Sequence, residues 1–106
     1  INDVYYNTGL AIYSAAFEAA RLAVEQSGFP VTPVSMKAGY ESIVDFDANG
    51  LFAPITVTAE DHGGGGKTRV EMWDGETWVP QQDWTAAYTD VIWDVVKESS
   101  SKFTVE

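Results

Sequence analysis

Apolar residues recur with a helical period from the start of the chain to about Gln26. Tyr6, Leu10, Tyr13, Phe17, Ala20 and Val24 form one stripe, and Gly9, Ile12, Ala16, Ala19 and Ala23 form a second, smaller one. Only Ser14, Glu18, Arg21 and Glu25 make a polar face, and that face is narrow. Such a helix needs neighbours around most of its circumference. Asn2 or Asp3 can cap its start, and Gly28 and Pro30 stop it. The remaining residues can hardly supply that many neighbours, so the pattern predicts a larger body beside this chain.

Thr32 followed by Pro33 is a cap and a first-turn proline, which predicts a short helix to about Val44. Asp45 to Gly50 has turn composition. Pro54 to Thr58 and Thr68 to Trp73 alternate as short strands do, and Asp74-Gly75 signals a hairpin that returns through Thr77, Trp78 and Val79. Asp83 is placed to cap a last helix with Trp84, Tyr88, Val91 and Val95 on one face. Asp90, Asp94, Lys97 and Glu98 face outward, and Ser99 to Ser101 read as a frayed tail. The predicted order is helix, helix, strand, hairpin, helix. Two or three short strands are few for a free-standing sheet.

The 106 residues carry a formal net charge of -10. Nucleic acid is excluded as a partner by that balance, because phosphate binding needs clustered positive charge. The absence of cysteine removes disulfides, thiolate zinc sites and thiol catalysis. No apolar run is long enough to span a bilayer.

Four candidate sites can be weighed on chemistry. Gly66-Lys67-Thr68 suggests a phosphate loop, but the motif needs a glycine where Asp61 stands and a helix where Arg69 to Trp73 reads as strand. Asp45, Asp47, Asn49 and Gly50 match the first half of a calcium loop, yet the closing Glu falls at Thr56. The Asp residues are better read as turn formers, with Gly50 in a left-handed conformation. His62, the only histidine, lacks a nucleophile or further ligands in suitable motifs and reads as a loop residue bonded to its own turn. Glu60 and Asp61 are adjacent on an extended segment and point apart, so they do not form an acid-base pair. Tyr5 and Tyr6 stand at the helix entrance, where a ring can wall a pocket. No catalytic residue, metal site or cofactor is expected.

Several features occur together in a familiar order. Tyr6-Asn7-Thr8-Gly9 opens an Ala-rich helix, and a short helix leads to Asp45-Phe46-Asp47. A Gly-containing link and a Pro-Ile-Thr strand follow, then Asp61-His62, and then a strand ending in Trp73-Asp74-Gly75-Glu76-Thr77-Trp78. This resembles the C-terminal segment of type I periplasmic solute-binding proteins of ABC transporters, the branched-chain amino acid-binding family.

The resemblance implies an α/β fragment of a two-lobed fold. Residues 1–53 would be the helical part of one lobe, 54–80 the hinge strands and hairpin, and 81–106 the C-terminal helix and tail. It implies a non-enzymatic, extracytoplasmic or periplasmic receptor that binds a small solute, such as an amino acid, amide or aromatic acid, and delivers it to an ABC permease. Tyr5 and Tyr6 are the positions it would have contact that solute. The exposed faces of such a piece would favour a homo-oligomer. The alternative is a stand-alone acidic protein-interaction module without a small-molecule ligand.

Overall fold

The structure is a computed structural model that describes residues 3–103. It is a small mixed α/β chain of three helices and two small antiparallel sheets, and it divides into two units between Gly65 and Gly66.

In the first unit, helix α1 (Val4–Ser27) starts where Asp3 accepts a hydrogen bond from the Tyr5 backbone N–H at 2.8 Å. Asn2, the other predicted cap, lies outside the described residues. At the far end the Gly28 N–H donates to the Val24 carbonyl at 2.8 Å and closes the last turn. Helix α2 (Pro33–Tyr40) begins with a reciprocal capping box. The Ser35 N–H donates to Thr32 Oγ1 and the Thr32 N–H to Ser35 Oγ. It ends four residues before the predicted Val44, because the Ser42 and Ile43 N–H groups turn back to Gly39 and Tyr40. That turn sets Ile43 fully inside the unit.

The two stripes of α1 have different fates. Ala19 and Ala23 are completely buried, while Tyr13 and Phe17 remain 67% and 74% exposed. The reason lies on α2, whose buried residues are Ser35 and Gly39. Small residues on both helices let the backbones approach closely, which a face carrying Phe17 would prevent. Ala19, Ile43 and Val57 form the core, with Leu22, Met36, Tyr40, Phe46 and Ile55 packed against it.

The predicted strand Pro54 to Thr58 is extended but forms no ladder. Its N–H groups are shared among separate segments: Ile55 donates to Phe46, Thr56 to Gly64, Val57 to Ile43 and Thr58 to Asp61. Every donor is satisfied without a neighbouring strand, as buried backbone requires.

In the second unit, β1 (Lys67–Thr68) pairs with β4 (Thr85–Ala86), and β2 (Glu71–Trp73) pairs with β3 (Trp78–Pro80). The predicted strand Thr68 to Trp73 is thus split at Arg69 and Val70. The hairpin is as predicted and places Trp73 opposite Trp78, with ring centroids 5.4 Å apart. Asp74 holds its turn by accepting from the Glu76 and Thr77 N–H groups, both at 2.8 Å. Those bonds, Thr77 first, hold its carboxyl below the usual range.

Helix α3 (Thr89–Ser101) begins after Tyr88, which is left-handed at φ 58°. Asp83 therefore does not cap it: the residues between are taken by β4, and Thr85 Oγ1 donates to the Thr68 carbonyl at 3.3 Å. Ser99 to Ser101, expected as a frayed tail, complete the helix instead.

A Cβ placed on Gly39 would lie 2.1 Å from the Ala19 carbonyl oxygen and 3.0 Å from the Ala23 nitrogen. Gly39→Ala should therefore destabilise the protein by about 1–3 kcal/mol or more, since rigid backbone rather than a side chain must yield. Gly9→Ala, in a helix position where a Cβ meets nothing within 4 Å, should stabilise by about 0.5–1 kcal/mol. Urea denaturation of both variants checks the contrast, and equal shifts would mean that the helices do not meet at this distance.

Candidate functional site

In the first unit an open cavity of about 430 Å³ is lined by Ala15, Ile43, Ile55 and Val57. Lys37, Glu41 and His62 stand on its rim. The fold brings them together from two places. Lys37 and Glu41 are one turn apart at the C-terminal end of α2. His62 comes from the loop that Asp61 shapes, where Asp61 Oδ1 accepts from the Gly63 N–H at 2.8 Å and the Gly64 N–H at 3.3 Å.

Glu41 is the centre of the group. Its Oε1 takes the Lys37 ammonium and, at 2.8 Å, His62 Nε2. Lys37 and then His62 hold the carboxyl below the usual carboxylate range. Only 18% of the side chain is exposed, so the shared oxygen sits partly out of water. A carboxylate stabilised in this way is a weaker base, and its geometry is that of a clasp joining α2 to the 58–64 loop.

His62 does not bond its own turn, the contact that its place in a loop predicts. It instead reaches Glu41, 21 residues away, while Asp61 closes the turn. Glu41 was missed because nothing in a Tyr-Glu-Ser context marks a clasp. The signal that could have found it is the Lys37/Glu41 spacing of four.

The other candidates are placed apart from this group. Tyr5 and Tyr6 lie on the first turns of α1, 84% and 53% exposed, and neither lines the cavity. Asp47 makes the expected turn bond, its Oδ1 accepting from the Asn49 N–H at 3.0 Å. The Asp45 N–H donates to Thr56 Oγ1. Among the described residues, no three His, Cys, Asp or Glu side chains gather as a metal site would require. Lys67 falls in β1 rather than at a helix start, so the phosphate-loop geometry is absent there. In the second unit Arg69 pairs with Glu71 at 2.5 Å and stacks 4.3 Å from the Trp84 ring.

No family model and no curated protein matches the chain. A solved structure does: the crystal structure of an ABC transporter permease from the Pseudomonas fluorescens group. It is 30% identical, with a TM-score of 0.72 over 95% of this chain. The chain spans 28% of the length of that protein.

This match corrects the resemblance to solute-binding proteins and the receptor function drawn from it. The protein that shares this structure is described as a permease, not as a solute receptor. The motifs that carried the resemblance are short and locally employed. Asp47 and Asp74 spend their side chains on their own turns, and so specify backbone geometry rather than a ligand.

The clasp has a definite pH signature. Glu41 titrates below its ordinary 4.5 when folded, so its contribution is complete above that value and is lost as pH falls through the folded pKa. Glu41→Gln should lower the melting temperature at neutral pH, and the gap to wild type should close in acid. Asp74 titrates in the same direction in both proteins and cancels from the difference. A gap that stays constant with pH would show that Glu41 acts through packing and not through its charge.

Proposed function

We propose that this chain is a segment of an ABC transporter protein that does not itself cross the membrane and does no chemistry of its own. Its role is to pack, through the exposed apolar face of α1, against the rest of that transporter. The observation that carries this reading is the row of large apolar side chains left uncovered on one helix. Tyr6, Leu10, Tyr13 and Phe17 are each 41% exposed or more. Covering one such side chain is worth about 1.5–3 kcal/mol, so a row of this length is a strong drive to associate.

Other observations support it. The likeness extends over nearly all of this chain but little more than a quarter of the permease, which leaves most of that protein to supply a covering surface. No helix of the described residues is long and apolar enough to cross a membrane. The acidic surface keeps the remaining faces hydrated.

The absence of cysteine makes a labelling test simple. Phe17→Cys should react quickly with a maleimide in the 106-residue chain. It should react far more slowly when the segment is part of the longer transporter, with the site identified by peptide mass spectrometry. Equal reactivity in both would overturn the packing role and favour a stand-alone acidic module.

A further inference from the structure

We propose that Asn49-Gly50 is a site of spontaneous deamidation, and that it ages faster than Asn7 or Asp74-Gly75. The reaction uses only the chain and solvent water. The Gly50 backbone nitrogen, giving up its proton to base, forms a bond to Asn49 Cγ. The Cγ–Nδ2 bond breaks, and the amide nitrogen takes up a proton and leaves as ammonia. The resulting five-membered imide adds water. Opening at one carbonyl leaves an aspartate at position 49, and opening at the other leaves an isoaspartate with an extra methylene in the backbone.

Three features of the structure favour this site. Asn49 and Gly50 are exposed at the tip of the 47–52 turn. Gly50 has no Cβ to shield its nitrogen from Asn49 Cγ, whereas Asn7 precedes the branched Thr8. The turn also holds three successive left-handed residues, Ala48, Asn49 and Gly50, at φ 51°, 59° and 82°. Such a conformation is disfavoured for residues with side chains, and it is held by little. The bonds across it are Phe52 N–H to the Asp47 carbonyl at 3.3 Å and Asn49 N–H to Asp47 Oδ1 at 3.0 Å. Among the described residues, no hydrogen bond engages the Asn49 amide or the Gly50 N–H.

Asp74-Gly75 is the natural comparison, because aspartate before glycine forms the same imide by losing water. There the carboxylate accepts two backbone N–H groups, one from Glu76 and one from Thr77. Both bonds fix its geometry and favour the ionised form, which is the unreactive one. The two turns, each with glycine after the reacting residue, thus differ in the hydrogen bonds on the reacting side chain.

Deamidation would add a carboxylate beside Asp45 and Asp47, in a chain already at -10. Through isoaspartate it would also lengthen the link between the bridged residues Phe46 and Ile55.

Incubation of the folded chain at mildly alkaline pH, followed by peptide mapping, tests the proposal. Position 49 should gain the mass of deamidation and react with protein isoaspartyl methyltransferase several-fold sooner than position 7 or 74. Its rate should stay within a few-fold of that in urea. Asn49→Gln should abolish the early product, which assigns it to this residue even if a Gly50→Ala variant fails to fold. A native rate at position 49 no greater than that at position 7, or strongly suppressed relative to urea, would overturn the proposal.

Discussion

The first unit depends on one close approach, the Gly39 backbone laid against the α1 backbone at Ala19 and Ala23. With no side chain between them, the helices meet nearer than ordinary core residues allow. The small core of the unit is arranged around that contact. Ile43 fills the space just beyond the end of α2, and Val57 closes over it, tied by its N–H to the Ile43 carbonyl. Leu22 and Met36 seal the edges. The core is small because its central contact is made of backbone, which buries little apolar area per residue. It gains order from tight packing rather than bulk.

The sequence made the local features legible. Asp3, Thr32 with Pro33, and Asp74-Gly75 all act at the positions where their chemistry places them, because caps and tight turns are decided by residues within four of one another. The distant pairings were not legible. Pro54 to Thr58 has the alternation of a strand, but its acceptors are Ile43, Phe46, Asp61 and Gly64, in two stretches on either side of it, and no local pattern announces that. Trp84 to Tyr88 looks helical by spacing, yet Thr85 and Ala86 pair with β1 instead. Tertiary pairing overrides local preference there.

The candidate site shows the same division. The turn roles of Asp47 and Gly50 could be read from composition, since a bond two residues away and a left-handed φ are local features, whereas the Asp45 N–H reaches Thr56. The Glu41–His62 contact spans a loop closure and could not. Functional resemblance failed for a related reason. Short motifs such as Asp-Phe-Asp or Asp-Gly-Glu-Thr-Trp specify turns, and turns recur among proteins with different tasks. A match over 95% of the chain carries more information than their order does.

The Trp73–Trp78 pair across the hairpin has an optical consequence. All four tryptophans, Trp73, Trp78, Trp84 and Trp93, lie beyond Gly65, whereas Tyr5, Tyr6, Tyr13 and Tyr40 lie before it. Indole emission therefore watches the second unit alone, and two indoles 5.4 Å apart should couple as excitons in circular dichroism while the hairpin stays in register. Helix ellipticity is weighted instead towards the 24-residue α1. The chain thus carries separate built-in reporters for its two halves, and their coincidence or divergence during unfolding measures how far the halves cooperate.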